Sequence, residues 1–223
     1  MFALKYIVLA AVFVNSCYSN AQDKEHTNVY VDLGLTSHTK WAKFNLDADS
    51  MEEYGDSYAW GELTAGGYPD WKDYQYYIPA KKGIDKDGFM TYQEERMIDI
   101  GKNISGSKYD VVTTTLGDGW RMPTEEDMAE LRKECQWAKV RRGNVGGWKV
   151  TGKNGNWIFL PTHRITERNY LADYIHCYWI ATAESQTTAY CLYTTDSGNL
   201  RIITKPKREG HLIRPIYKQK NKN

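Results

Sequence analysis

The sequence predicts an α+β fold, and three observations lead to that prediction. The chain of 223 residues is rich in aromatic residues and glycine, with 8 Trp, 17 Tyr and 18 Gly. Long stretches of helical periodicity are few, which favours strands. One strand-to-helix corner lies near the middle of the chain, and short strands with polar turns fill the C-terminal third. A hydrophobic content of 41% argues against a disordered chain.

The strand-to-helix corner occupies residues 117–128. Pro123 lacks the backbone N–H that a strand ladder requires, so the strand should end there. Thr124 is a good N-cap, and Asp127 follows three residues later at the spacing of a capping box. The apolar residues of the following helix recur at i, i+3 and i+7, so we expect one of its faces to contact a core.

Trp120 and Arg121, at the end of the strand before this helix, permit two interpretations. An exposed tryptophan beside an arginine could form a binding platform for a ligand. The interpretation that we favour places Trp120 in the core and makes Arg121 a buried tether to a carboxylate. Trp179, in a later apolar strand, is also expected in the core.

Alternating apolar residues predict the strands of the domain. The predicted strands are residues 28–35, 41–46, 58–60, 148–151, 156–160, 178–182, 189–193, 200–205 and 212–217. The Asn154-Gly155 pair between two of them is a strong hairpin signal. No linker or repeat interrupts residues 28–217, so a single domain with a basic tail at residues 218–223 is the simplest organisation.

Residues 1–21 have the pattern of an export signal. Lys5 supplies the positive charge, residues 6–14 form a short apolar segment, and Ala21 ends a sequence that a signal peptidase would cleave. The alternative is a lipoprotein signal, which would leave a lipid anchor on Cys17. We therefore expect an exported protein that is periplasmic, anchored to the outer membrane or secreted. No other apolar run is long enough for a transmembrane helix.

The charge balance argues against nucleic acid as a partner. The formal net charge is +1, and removal of the export segment would also remove Lys5 and leave equal numbers of basic and acidic residues. A neutral domain has no electrostatic attraction for a phosphate backbone.

Residues 80–103 contain the one segment with a metal-binding pattern. Aligned on the glycine that an EF-hand loop has at its sixth position, Asp85 and Asp87 take positions three and five, and Glu94 takes the bidentate position twelve. The first position lacks its acidic ligand. The alternative is an Asp-Gly turn followed by a helix over residues 92–100. Calcium at Asp85, Asp87 and Glu94 is the only cofactor that the sequence suggests.

Three cysteines would remain after export, namely Cys135, Cys177 and Cys191. An oxidising compartment would allow one disulfide and one free thiol. Cys177 and Cys191 flank a turn at residues 184–187, but simple pairing about that turn places their side chains on opposite faces of the hairpin. Three buried, unpaired cysteines are the alternative.

Catalytic motifs are absent from the sequence. The histidines have no metal-binding spacing, and there is no nucleophile elbow, phosphate-binding loop or dinucleotide-binding loop. Asp118, Glu125, Glu126 and Asp127 form an acidic cluster, but carboxylates at the start of a helix usually serve as caps. The sequence therefore predicts a protein that is not an enzyme.

Several short segments, read together, resemble one known family. They are GWRMPT at residues 119–124, VDLGL at 31–35, YGDSYAWGE at 54–62, ISG at 104–106, GKNGN at 152–156, IFLP at 158–161 and LIRPI at 212–216. Taken in chain order, they resemble the Fibrobacter succinogenes major paralogous domain, or FISUMP, whose signature is GWR(L/M)PT. The resemblance spans residues 29–217. Residues 80–103 have no counterpart in it and are expected to be an insertion.

The resemblance implies a C-type-lectin-like fold, in which two main helices pack on a small, twisted antiparallel sheet. The formylglycine-generating enzymes share the corner motif and have a related architecture, and they hold copper with two cysteines near the C-terminus. This chain has no cysteine after Cys191 and ends its motif with Arg214-Pro215-Ile216, so the oxidase chemistry is not expected. The triplets that C-type lectins use to bind sugar with calcium are also missing.

These observations together predict an exported, non-catalytic binding or adhesion domain of the bacterial cell envelope, with a glycan or a protein as ligand. Loops on a rigid scaffold carry binding in such folds, so the polar segments 184–188, 196–201 and 205–209 are the expected site. The candidate binding residues are Glu184, Gln186, Thr188, Asp196, Asn199 and Arg201. A structural role is expected for Trp120, Arg121, Pro123, Thr124, Trp179 and Arg214. The alternatives are a degenerate relative of the formylglycine-generating oxidases and a purely structural envelope component.

Overall fold

A computed structural model describes residues 30–164, 177–194 and 200–218. Of the described residues, 39% lie in strands and 11% in helices, so this part of the chain is mostly β-structure. Within the described residues there are two α-helices, of 6 and 10 residues, and five small sheets without a closed barrel. The predicted α+β, C-type-lectin-like arrangement of two main helices on one sheet is therefore wrong. Two helices this short cannot cover the sheets, and one hydrophobic cluster instead joins side chains from three of the sheets with two from the longer helix.

The strands in chain order are β1 (Tyr30–Val31), β2 (Lys40–Ala42), β3 (Tyr77–Ile78), β4 (Lys81–Ile84), β5 (Met90–Gln93), β6 (Arg96–Met97), β7 (Trp120–Arg121), β8 (Gln136–Arg142), β9 (Val145–Thr151), β10 (Trp157–Arg164), β11 (Cys177–Ala183), β12 (Thr188–Thr194), β13 (Leu200–Pro206) and β14 (Ile216–Tyr217). The helices are α1 (Val111–Leu116) and α2 (Glu125–Glu134), and Trp71–Asp73 forms a 3-10 turn. The sheets have the strand orders β1-β2-β14-β7, β10-β9-β8 and β11-β12-β13, with β3-β6 and β4-β5 as separate pairs.

The central sheet is formed by β11, β12 and β13, and β11 is buried on both faces. Trp179 and Ala181 pack into one hydrophobic cluster, which also contains Trp60. Tyr178 and Ile180, the alternate residues of the same strand, pack into a second cluster. Because side chains of a strand alternate between its two faces, β11 separates the two clusters and contributes to both. The prediction that Trp179 lies in the core is confirmed.

The corner between β7 and α2 has the predicted capping box. The Thr124 hydroxyl accepts a hydrogen bond from the Asp127 backbone N–H at 3.3 Å, and the Thr124 N–H donates to the Asp127 carboxylate at 2.9 Å. Arg121 donates to both oxygens of that carboxylate, at 2.6 and 3.0 Å. The carbonyl of Pro123 accepts from the N–H of Ala181 and so joins the corner to the central sheet. Trp120 is buried as predicted.

Arg214 is a buried tether between two sheets. Its guanidinium donates to the Asn45 side chain, to the carbonyls of Ala42 and Lys43 beside β2, and to the carbonyl of Phe159 in β10. Burial lowers the pKa of Arg214 to about 10, so the side chain remains charged at neutral pH. Its structural role follows from these four acceptors, which fix the C-terminal segment against both β2 and β10.

Several predicted elements differ from the structure. The hairpin about Asn154-Gly155 is confirmed as β9 and β10, with Thr151 opposite Trp157. The helix predicted over residues 92–100 is wrong, because that stretch contains the end of β5 and all of β6. The strand predicted at residues 212–217 is reduced to β14, and residues 58–60 form no strand.

Among the residues that the structure describes, no helix has the length and apolar character needed to cross a membrane.

The three cysteines in the described part of the chain are unpaired, but one geometric expectation about them is wrong. Cys177 and Cys191 are fully buried on the same face of the β11–β12 hairpin, and their thiols share a hydrogen bond. The loop between the strands has five residues, because Ala183 pairs with Ala189, and the register shifts between Trp179 and Ala183. A loop of four residues would place the two thiols on opposite faces of the hairpin, whereas the loop of five residues places them on the same face.

The predicted export segment 1–21, the alternative lipid site at Cys17 and residues 219–223 of the basic tail lie outside the described residues. The expectations about them therefore stay predictions.

Candidate functional site

A cavity of about 160 Å³ lies between the turn that joins β11 to β12 and the segment that follows β6. Residues 97–102 form one wall and residues 183–186 form the other. Lys207, which follows β13, also lines it. At roughly 30 Å³ for each water molecule, the cavity has room for about five waters, or for one small ring.

The turn at residues 184–188 is held by hydrogen bonds within itself. The backbone N–H groups of Glu184 and Ser185 both donate to the Thr188 carbonyl, at 3.0 and 3.1 Å. The Ser185 hydroxyl accepts from the N–H groups of Thr187 and Thr188. The Thr188 hydroxyl donates to the Glu184 carboxylate at 2.7 Å. This turn thus presents its outer side chains from a fixed backbone on the central sheet.

The opposite wall is joined to the central sheet by backbone hydrogen bonds. The Ala183 N–H donates to the Lys102 carbonyl at 2.7 Å, and the Ile104 N–H donates to the Ala181 carbonyl at 3.0 Å. The Asp99 side chain accepts from the Gly101 N–H at 2.8 Å and so shapes the bend between the two contacts. Both walls of the cavity are therefore anchored to β11.

Lys207 is the buried cation of the cavity, with 6% of its surface exposed. Its backbone N–H donates to the Thr187 carbonyl, and its carbonyl accepts from the Trp60 N–H. Its ammonium lies 4.3 Å from the centre of the Trp60 ring. Burial lowers the pKa of Lys207 to about 8, and the nearby charge of Asp99 opposes that shift. The ammonium is thus largely charged at neutral pH.

The charged residues around the cavity balance one another. Asp99 and Glu184 are acidic, and Lys102 and Lys207 are basic. The two acids are exposed and accept hydrogen bonds from their own segments. Lys207 differs from the other three because its charge is buried.

The structure separates the predicted binding residues. Glu184 and Gln186 line the cavity, and Thr188 fixes the turn beneath them. Arg201 lies elsewhere, because Thr188 pairs with Pro206 and Arg201 is five residues further along β13, or about 17 Å at 3.3 Å per residue. Arg201 therefore does not line this cavity, and its role in binding stays a prediction.

Asp196 and Asn199, the remaining predicted binding residues, lie outside the described residues. Their place relative to the cavity stays a prediction.

The segment with the EF-hand pattern is a β-hairpin, not a helix–loop–helix. The Asp85 carboxylate accepts from the N–H groups of Asp87 and Phe89, at 3.0 and 2.9 Å, and so closes the turn between β4 and β5. Glu94 follows β5 at an exposed position. Within the described ranges, no group of three or more His, Cys, Asp or Glu side chains is arranged to hold a metal ion. Calcium at Asp85, Asp87 and Glu94 stays a prediction of the sequence.

Sequence reasoning missed most of the cavity. Lys207 lies in the polar segment 205–209, but nothing in the sequence distinguishes it from its exposed basic neighbours. Asp99 and Lys102 lie in the predicted insertion, which the sequence did not connect with the 184–188 turn. The signal that could have linked them is the apolar spacing around Ile100 and Ile104, which are both buried in the same cluster as Trp179.

A scan against protein-family models and searches of curated proteins and of solved structures found no significant match to this chain. The resemblance to the FISUMP family therefore stays a prediction from the quoted segments.

Proposed function

We propose that this chain is an exported, non-catalytic binding domain of the bacterial cell envelope, and that it binds a glycan in the cavity beside the 184–188 turn. The observation that supports this most directly is the position of that turn. The segment that the sequence selects for recognition forms one wall of a cavity, and hydrogen bonds fix its backbone. Fixed loops on a rigid scaffold are the usual carriers of binding.

A glycan suits the cavity better than a protein does. A space of about 160 Å³ accepts a single ring, whereas protein interfaces usually bury several hundred Å² on each partner. Met97, Ile98 and Ala183 offer apolar atoms to the cavity, and Ser185 and Gln186 offer polar side chains. A sugar ring has the same division, with an apolar face and a hydroxyl-bearing edge.

The oxidase alternative has less support from the cysteines. A copper-holding thiol pair must be accessible to metal and substrate, whereas Cys177 and Cys191 are both fully buried in the core. The structural alternative predicts that the protein binds no small ligand, so a binding experiment separates it from the proposal.

The test is a glycan array probed with the purified full-length protein, once with calcium and once with a chelator. We expect binding that persists with chelator and that falls at least tenfold in Gln186→Ala. Arg201→Ala is the matched control, because Arg201 lies at the far end of β13 and should leave binding unchanged.

Two outcomes would contradict the proposal. Loss of binding with chelator, and in Asp85→Asn but not in Gln186→Ala, would move the site to the β4–β5 hairpin. Absence of binding on every glycan would favour the structural alternative.

A further inference from the structure

The ammonium of Lys207 has three N–H donors and no hydrogen-bond acceptor or ion-pair partner among the described residues. Its closest polar interaction is with the face of Trp60, at 4.3 Å. Because only 6% of the surface of Lys207 is exposed, water reaches its ammonium only in part, through the cavity that the residue lines, and incomplete solvation of a charge is unfavourable. Lys207 keeps this charge at the edge of a cavity, where a ligand could supply the missing acceptor.

The neighbouring acids do not fill this role. The Asp99 carboxylate acts on Lys207 only through its charge and accepts a hydrogen bond from the N–H of Gly101. The Glu184 carboxylate accepts from the Thr188 hydroxyl at the exposed side of the turn. An oxygen brought by a ligand is thus the partner that the ammonium lacks.

We propose that the cavity binds an acidic sugar unit, of the uronic acid class, and that Lys207 binds its carboxylate. This inference rests on the proposed function and gives the class of glycan for the same site. A carboxylate is favoured over a neutral hydroxyl because its negative charge adds an ion-pair attraction to the hydrogen bond that it accepts from the ammonium.

A single negative charge suits the cavity better than a phosphate or a sulfate cluster. Asp99 and Glu184 stand on the two walls and would repel a ligand with two or more negative charges. Lys102 and Lys207 balance them, so the addition of one carboxylate leaves only a small excess of negative charge. The apolar atoms of Met97 would then contact the face of the ring.

The pH dependence of this interaction follows from the same groups. Lys207 loses its charge as the pH rises past about 8, so the affinity for a carboxylate should fall above that pH. The other charged groups that line the cavity are Asp99, Glu184 and Lys102.

The test measures binding of glucuronate and of glucose by calorimetry to the full-length protein, to Lys207→Met and to Lys205→Met. We expect glucuronate to bind at least tenfold more tightly than glucose at pH 7, and this preference to shrink by pH 9.5. Lys207→Met keeps the aliphatic stem and should remove both the preference and its pH dependence. Lys205→Met is the matched control, since Lys205 lies two residues before Lys207, near the end of β13, and pairs with Glu209.

Each failure has a different meaning. Equal binding of glucuronate and glucose by the unchanged protein would overturn the carboxylate inference and leave the proposed glycan-binding function standing. Binding of N-acetylglutamate in place of either sugar would overturn the sugar class. If the protein binds on the glycan array but binds neither glucuronate nor glucose, the uronic acid inference alone is overturned; silence on the array as well would overturn both proposals. If Lys207→Met does not fold, the comparison of the two sugars and the pH profile of the unchanged protein still decide.

Discussion

The carboxylate of Asp127 holds the corner between β7 and α2. It accepts hydrogen bonds from both outer nitrogens of Arg121 and from the N–H and hydroxyl of Thr124. Burial raises the pKa of Asp127, but the hydrogen bonds and the charge of Arg121 outweigh that effect and lower it below its usual value. The carboxylate is therefore more stable in the folded protein than in the unfolded chain.

Replacing Asp127 with Asn should destabilise the protein by about 2–4 kcal/mol, because the change leaves the Arg121 charge without its partner. Urea unfolding at pH 7 measures this loss, with Glu126→Gln as the control, since Glu126 is exposed in the same helical turn. The control should change the free energy of unfolding by less than about 0.5 kcal/mol.

The same carboxylate predicts an acid dependence. A group with a lowered folded pKa stabilises the protein above its unfolded pKa of about 3.9, and that stabilisation is lost as the pH falls through the folded value. The difference in the free energy of unfolding between the unchanged protein and Asp127→Asn should hence become smaller below about pH 4. A difference that stays constant down to pH 2 would contradict the role of the charge.

Lys207 predicts a pH dependence of the same sign, but in an alkaline window. Its folded pKa of about 8 lies below the ordinary value of 10.5, so between these pH values the unfolded chain binds more protons than the folded one. The free energy of unfolding should then rise with pH across this window, by on the order of 2 kcal/mol relative to Lys207→Met. Thermal unfolding measures this dependence. If the free energy of unfolding changes with pH in the same way for both proteins, the assignment is refuted.

The residues that the sequence predicted well have local partners. Thr124 and Asp127 are three positions apart, and the role of Arg121 follows from an acid six positions later, so the corner can be derived from adjacent residues. Lys207 was not predictable, since its burial depends on Trp60 and on residues 97–102, which are distant in the sequence.

The β9–β10 hairpin depends on a close backbone contact at its turn. A Cβ atom added to Gly152 would lie 2.0 Å from the carbonyl oxygen of Leu33, so no side chain fits there. Gly152→Ala should destabilise the protein by at least about 2 kcal/mol, because backbone atoms must move. The control is Gly83→Ala, where the added Cβ meets only the Thr91 hydroxyl at 3.0 Å. A fall in melting temperature that is no larger than in the control would contradict this contact.

The β4–β5 hairpin contributes little to either hydrophobic cluster. Ile84, Phe89, Met90 and Tyr92 are all exposed, by 64–78% of their surface. The pairing of β3 with β6 closes the chain beneath the hairpin. Replacement of residues 81–93 by a short Gly-Ser turn should consequently leave the melting temperature within a few degrees of its original value. Unfolding of this variant, seen by circular dichroism, would show that the hairpin is part of the core.

Sequence patterns predicted elements that carry their own signal and missed those that depend on a neighbour. The Asn-Gly turn specifies the β9–β10 hairpin locally. In contrast, β8 is a mainly polar strand that is defined by its pairing with β9, from Gln136 opposite Thr151 to Arg142 opposite Val145. Whether Cys177 and Cys191 lie on the same face depends on the length of the turn between them. One more residue in the turn moves the side chains of one strand to the opposite face relative to the other strand.

At the scale of the whole molecule, the fold class was wrong because sheets take the place expected for helices. The FISUMP resemblance implied two helices over one sheet, whereas β11 is buried between two clusters to which several sheets contribute. Helix α2 contributes two buried apolar side chains, Met128 and Leu131, and both belong to one of these clusters.

The export expectation also belongs to the whole molecule. Protein recovered from the cell envelope should have lost its N-terminal segment, and intact-mass measurement should give either a chain that begins at Gln22 or a lipid-bearing chain that begins at Cys17. A full-length mass in the cytoplasmic fraction alone would contradict export. Exchange of Lys5 for Glu, which removes the positive charge of the signal, is expected to reduce the exported fraction.

The position of β14 constrains when the protein can fold during synthesis. This strand lies between β2 and β7, and Arg214 just before it joins β2 to β10. A nascent chain that lacks residues 212–217 leaves β2 and β7 without the strand that connects them, so ribosome-bound chains of that length should be digested rapidly by protease. The domain would then remain unfolded until residues 212–217 have been synthesised.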